Sequence, residues 1–527
     1  MHLLARQVQS HLLPLVVLFA AVQLAAPATR AEVKPAALFS DHMVLQQGMA
    51  VPVWGWAEPG EQVTVTFGEQ KQSATAAADR KWMVRLNTLK AGGPFAMTIA
   101  GRNSITISDV LVGEVWLGSG QSNMQFPMSV KRAAYAGVAN EEQEIAAANY
   151  PQLRMFTGKS AKTYEPQADL AGEWLICTPE NVPGFSAVGY MFARDLQRDL
   201  KVPVGVLTLA FGASTAEAWI RRETMAADPE LKPMLDRFDA AVKTFRSNPA
   251  PAVVAPPRSE DVSAKSTPPA AGAAGAAKAG KRNNAGPRDP VQDQHNATVL
   301  FNGMIAPAIP YAMRGVIWYQ GESIVGGDPG RALYPHVQAT LVQDWRKLWG
   351  QGDFPFYIVQ LAGQDANSNS PVVREAQATI LKLVPNSGMA VTVDIGEEKN
   401  VHPHNKQDVG DRLSRIALAN VYGRKLEYSG PMYESMSVAG NAARLKFSHA
   451  TGGLVAKGGP LKWFVIAGAD QKFVPAEARI DGDTLVVSSP EVAAPVAVRY
   501  AWVNFPDGCN LYNTAGLPSP SFRTDRW

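Results

Sequence analysis

The run Val110-Leu111-Val112-Gly113-Glu114-Val115-Trp116-Leu117 is apolar almost throughout, and it passes directly into Gly118-Ser119-Gly120-Gln121-Ser122-Asn123-Met124. A strand whose consecutive residues are apolar has to be covered on both faces. It belongs in a parallel sheet packed between helices, not in a sheet with one face in water. The small residues that follow let the backbone turn sharply and let a substrate carbonyl come close to Ser122. Together they point to a serine presented at the edge of a parallel sheet.

The neighbouring sequence supplies the rest of such a sheet. Buried-strand candidates at 112–117, 204–209, 316–319, 356–361 and 390–393 alternate with helical patterns. Leu333, Val337, Leu341, Trp345 and Leu348 recur at spacings of three and four, as one face of a helix does. Further helices are expected around Ala187, Met191 and Leu196, over 372–383 and over 409–421. Strand–helix alternation from 110 to 426 predicts an α/β domain, a parallel sheet with helices on both faces. A chain of 527 residues is too long for one ordinary domain. Residues 32–109 and 427–527 instead show short β-branched and aromatic runs between turns, such as Gln62-Val63-Thr64-Val65-Thr66-Phe67 and Thr484-Leu485-Val486-Val487. They are expected to form N-terminal and C-terminal all-β modules.

Two segments fall outside this pattern. Residues 248–293 are rich in Ala, Pro, Gly and Lys and nearly free of large apolar side chains. They are expected to form a disordered insertion, with Lys278-Ala279-Gly280-Lys281-Arg282 a solvated tract. Residues 1–31 have the pattern of a signal peptide. Arg6 and His11 precede an apolar core over 12–22, and Thr29-Arg30-Ala31 offers a cleavage site. The expectation is export to the periplasm or cell exterior, with no stable membrane insertion after cleavage.

Net charge of +3 over this length lacks the basic stripe of a nucleic-acid binder. The two cysteines, Cys177 and Cys509, make no disulfide framework and are expected to be buried free thiols. Neither CxxC nor HExxH occurs, so no metal site is expected.

Ligands bind outside the carboxyl ends of parallel strands, so the residues after each strand matter most. Those residues are Gln121-Ser122-Asn123, Phe211-Gly212-Ala213-Ser214, Gln320-Gly321-Glu322-Ser323, and Asp394 followed by His402-Pro403-His404. Serine, glycine turns, carboxylates and histidine are the inventory of acyl transfer. Ser122 needs a base, and His402 titrates in the right range. Backbone N–H groups of Ser122 and Gly212 can form an oxyanion hole, to which Gln320 can add a side-chain amide. The carboxylate that would orient His402 stays open among Glu322, Asp394, Glu397 and Glu398.

These blocks resemble the sialate O-acetylesterase family, a branch of the SGNH-type hydrolases. The resemblance runs over 113–124, over Asn302-Gly303-Met304-Ile305-Ala306-Pro307 and over Gly315-Val316-Ile317-Trp318-Tyr319-Gln320-Gly321-Glu322-Ser323. It continues in His402-Pro403, Asn405-Lys406, Gly410 and Arg412-Leu413, and it covers nearly the whole chain after residue 31. It implies an SGNH-type fold and a serine esterase that removes O-acetyl groups from carbohydrates, with sialate 9-O-acetyl groups as the leading substrate. It further implies Ser122 as nucleophile, His402 as base, Gly212 as oxyanion donor and the Gln320-Gly321-Glu322 turn as active-site wall. Gln121, Asn123, Trp318, Gln320 and Glu322 are the expected substrate-binding residues, and no metal or organic cofactor is implied. The chain departs from the family pattern at Lys399 and Asn400, where many members place an aspartate, at Ala213, often glycine, and at Ile324, often asparagine. The orienting carboxylate is then Asp394 or Glu322, or a Ser-His dyad operates. The same machinery would suit an acetylxylan esterase. A glycan-binding protein without catalysis is the alternative of another class.

Overall fold

The structure, a computed structural model, describes residues 32–247, 288–325, 330–365 and 370–527. The expected signal peptide, and the expected insertion up to residue 287, lie outside the described residues. Residues 288–293, read from sequence as the end of that insertion, are folded. Pro290–Gln292 forms a 3-10 turn capped by Asp289, whose carboxylate also accepts the Tyr164 hydroxyl.

At the centre lies a sheet built on β1 (Ser104–Gly120), β2 (Tyr150–Thr157), β3 (Trp174–Cys177), β4 (Val204–Ala210), β5 (Gly315–Tyr319), β6 (Phe356–Val359) and β7 (Ser387–Ala390). Their order is β3-β2-β4-β1-β5-β6-β7, all parallel except the edge strand β3. β2 and β3 have no counterpart among the expected strands, and β7 stops at Ala390, short of the expected 390–393. Strand residues sort alternately to two cores, as period-two side chains must. Val115, Leu117, Val316 and Trp318 join one cluster, and Trp116, Ile317 and Tyr319 join the other. The helix α1 (Ala187–Leu200) crosses α4 (Lys406–Asn420) over the second cluster. On the opposite face lie α2 (Gly330–Trp349), which contributes Leu341 and Trp345, and α3 (Ser370–Leu383), which contributes Ile380. At the α1–α4 crossing, a Cβ on Gly410 would stand 2.3 Å from that of Met191, so only glycine permits this approach.

β1 does not respect the expected boundary near residue 109. Its first half pairs antiparallel with Gly92–Ala100 of the N-terminal β region, and its second half is the central parallel strand. Val44–Gln46 also pairs with it, in parallel, at Leu111 to Gly113. The strand that leads to Ser122 is therefore continuous with the N-terminal strands. Near the C-terminus the strands from Met432–Ala439 to Phe522–Arg523 form small antiparallel sheets. Arg374 of α3, fully buried, reaches into this region and bonds Ser521 Oγ at 3.0 Å and the Val503 carbonyl at 2.5 Å. Burial lowers its guanidinium to about 10. Cys177 and Cys509 are both buried and free, as expected.

Candidate active site

Register brings the strand ends level. Gly120 of β1 stands beside Ala210 of β4 on one side and Tyr319 of β5 on the other. After β1 the chain builds β2 and β4 on one flank and then crosses to β5 on the other, so β1 is the point where strand order reverses. That is where an open parallel sheet leaves a crevice for a ligand.

Gly120 makes the turn possible. Its φ is +128°, and a Cβ there would stand 2.2 Å from the Tyr319 carbonyl oxygen. The chain then enters a one-turn helix, Ser122–Gln125. The Ser122 N–H opens this turn, where no intrahelical carbonyl can reach it. Ser186, the N-cap of α1, donates its hydroxyl to the Met124 carbonyl at 2.5 Å and fixes the turn against α1.

His402 Nε2 lies 2.8 Å from Ser122 Oγ. The two are 280 positions apart in the chain. Burial first, and then the charges of Lys406 and His404, lower the imidazole to about 4. It is therefore neutral at neutral pH and can accept the serine proton.

The carboxylates expected to orient His402 do not touch it. Both oxygens of Asp394 are bonded to Arg412 at 2.7 Å, and one also accepts the Tyr512 hydroxyl at 2.8 Å. Glu322 bonds the Asn123 amide. Glu397 accepts from His404 and Asn400, and the Glu398 carbonyl accepts the Asp365 N–H. Among the described residues no carboxylate bonds His402 Nδ1. Asn400, standing where the family pattern has an aspartate, holds the histidine by its backbone. It accepts from the His402 N–H and donates to the His402 carbonyl, each at 2.9 Å. The Tyr135 ring covers the imidazole at 4.7 Å between centroids, with 39% of the residue exposed.

Other expected roles are corrected by burial. Gln320 is fully buried, with its amide on the Ser214 carbonyl at 3.1 Å and its oxygen accepting from Tyr334, so it does not serve the oxyanion hole. Trp318 is packed among Trp219, Trp345 and Phe356. Gln121 is buried against the Gly321 N–H and Ser323. Asn123 is buried as well, beneath the reacting atoms. These four belong to the floor of the site and are not contacts for a sugar. Gly212 does lie over the nucleophile, and a Cβ on it would come 3.7 Å from that of Ser122. Its N–H, the expected oxyanion donor, here donates to Gln125 Oε1 at 3.1 Å. The turn continues through Ala213, at φ +55°, which explains why glycine suits that position.

Gln125 and Tyr135 carried no signal in the sequence. Lys406 belonged to the resemblance without an assigned role. It is fully buried, and its Nζ donates to Asn123 Oδ1 at 2.6 Å. Burial lowers it to about 7, against the opposing charges of Glu322 and Glu397. Burial pushes the Glu322 carboxyl up. Among the described residues no group of three or more His, Cys, Asp or Glu is placed to hold a metal ion.

A serine bonded to a neutral imidazole at the switch point of a parallel sheet defines the class: a hydrolase with a Ser-His pair. Comparison with known proteins agrees. A profile described as carbohydrate esterase, sialic acid-specific acetylesterase, matches residues 292–419. The crystal structure of a carbohydrate acetylesterase from Xanthomonas citri superposes with a TM-score of 0.78 at 35% identity, covering 94% of this chain and all of that one. Sialate O-acetylesterases from Mus musculus and Homo sapiens are each 29% identical over 92% of this chain, covering 93% and 91% of their own lengths. The chain belongs to the carbohydrate acetylesterases and is a carbohydrate O-acetylesterase.

Proposed function

We propose that the protein is an exported serine esterase that cleaves O-acetyl groups from sugars through an acetyl-serine intermediate. The observation that carries this reading is the 2.8 Å contact between Ser122 Oγ and His402 Nε2. Ser122 Oγ attacks the acetyl carbonyl carbon while His402 takes its proton. The oxyanion that forms is met by the Ser122 N–H and by the Gly212 N–H, which Gln125 Oε1 must release or share. Collapse of the intermediate breaks the ester bond, and His402 returns the proton to the departing sugar oxygen. Water, activated by the same imidazole, then frees acetate and restores Ser122. Among the described residues no carboxylate bonds His402, which favours a dyad whose histidine is steadied by Asn400 and Tyr135.

The names of the curated relatives favour O-acetylated sialic acid as substrate. The pattern of residues 1–31 supports export. Acetate release should be followed on 9-O-acetylated sialic acid and, in parallel, on acetylated xylan. Sialate turnover is expected to exceed xylan turnover, and the reverse order would reassign the sugar. Ser122→Ala should lower kcat by on the order of 10⁴-fold or more with folding intact. Wild-type turnover in that variant would exclude the serine mechanism.

A further inference from the structure

We infer that Asn123 is the positioning residue that sets the Ser122–His402 contact, and that Lys406 and Glu322 hold its amide in the one orientation that does so. The inference rests on Ser122 and His402 being the reacting pair.

Asn123 follows the nucleophile directly, and its Nδ2 donates to the carbonyl of Val401, the residue just before His402, at 2.9 Å. One side chain thus ties the segment that carries Ser122 to the segment that carries His402. An amide can be turned end for end, and the two ends would place opposite dipoles on Val401. Here both ends are specified. The Lys406 ammonium can only donate, and it takes Oδ1 at 2.6 Å. Glu322 Oε1 can accept, and it takes Nδ2 together with the Val401 carbonyl. Asn123 and Lys406 are at most 1% exposed, so water does not compete for these bonds. Lys406 is also enclosed by the faces of Phe126 and Tyr319, at 4.5 and 5.5 Å from the ring centroids. Among the described residues no carboxylate holds the imidazole, and this network does the aligning from the backbone side.

The charged and titratable groups facing His402 are Lys406 and His404 from its own segment and Tyr135 from the loop opposite. Glu397 lies on His404, and Glu322 reaches the network through Asn123. The Lys406 cation opposes protonation of His402. Removing that cation should therefore move the acid limb of kcat/KM to higher pH.

The test is steady-state acetate release from a small acetyl ester across pH, with thermal unfolding of every variant. Asn123→Ala should lower kcat by about 10²-fold with KM little changed, the size of effect that misplacing a reacting group produces. Glu322→Ala should lower kcat in the same way, while Glu322→Gln, which keeps the acceptor for Asn123, restores most of the loss. Lys406→Met should raise the midpoint of the acid limb. Wild-type kcat in folded Asn123→Ala, equal rates in the two Glu322 variants, or an unmoved acid limb in Lys406→Met would each overturn the inference. If Asn123→Ala does not fold, the Glu322 pair and the Lys406 pH profile decide it. Turnover by Ser122→Ala, measured alongside, would instead overturn the serine mechanism.

Discussion

Two carboxylates stand past the ends of parallel strands, Glu322 after β5 and Asp394 after β7, and the protein uses them differently. Asp394 sits in a closed cluster. Arg412 grips both of its oxygens, Tyr512 fills a further lone pair, and a third Arg412 bond runs to the Val391 carbonyl. Glu322 sits in an open one. An amide separates it from its cation, and its Oε2 is buried with no partner among the described residues. A carboxylate in direct bidentate contact with its counter-ion ties elements together. Tyr512 belongs to the C-terminal strands, so the Asp394 cluster fastens that region to the sheet. A charge pair split by an amide leaves both ions partly uncompensated and shifts them toward neutrality. What it gains is a fixed dipole beside the reacting atoms.

The comparison can be broken most directly at Arg412. Arg412→Ala leaves Asp394 buried without its cation and should cost about 3–5 kcal/mol in urea unfolding. A wild-type urea midpoint would mean that the closed cluster contributes nothing to stability.

The open cluster should show itself next, through pH. Lys406 titrates near 7 in the folded chain against 10.5 for an ordinary lysine. Below about 7 both folded and unfolded chains hold its proton, whereas between about 7 and 10.5 only the unfolded chain does. Its contribution to stability therefore rises with pH through that window, by at most about 1.4 kcal/mol per pH unit. Unfolding measured from pH 7 to 10 should lose this rise in Lys406→Met. An unchanged slope would remove the distinction between the clusters.

Tyr512→Phe deletes one hydrogen bond to Asp394 while leaving Arg412 in place, and should cost about 1–2 kcal/mol with kcat intact. A drop in kcat would draw Asp394 back toward the chemistry. The smallest effect is expected at Ala213, which touches neither cluster. Ala213→Gly relieves a left-handed backbone and should change stability by no more than about 1 kcal/mol in either direction, because the glycine also loosens the unfolded chain. A larger shift would show that this turn is coupled to the site.

Much of the domain was legible because its strands are buried on both faces. Val204–Ala210 and Gly315–Tyr319 read as strands from apolar content alone, and α1 to α4 read as helices from their spacing. β2 was missed because Tyr150, Pro151, Gln152 and Arg154 break its apolar run. Ser122 and His402 were legible because their chemistry is distinctive. The roles of Gln320 and Trp318 were misread because a motif marks which residues cluster and not which way each side chain faces. The carboxylates were ambiguous for a related reason. Several acidic residues lie near strand ends, and only packing selects the partner of each.

The sequence by itself determined the strongly apolar strands β1, β4, β5 and β6, the helices beside them, and Ser122 and His402 as the candidate pair. Those follow from hydrophobic pattern and functional-group chemistry, both local to a segment. The tertiary structure alone decided that Asp394 belongs to Arg412, that Asn400 holds its histidine by the backbone, and that Lys406 is buried against Asn123. Each of these is a choice among chemically equivalent partners far apart in the chain. Such choices are made by distance and desolvation once the sheet has brought its strand ends together.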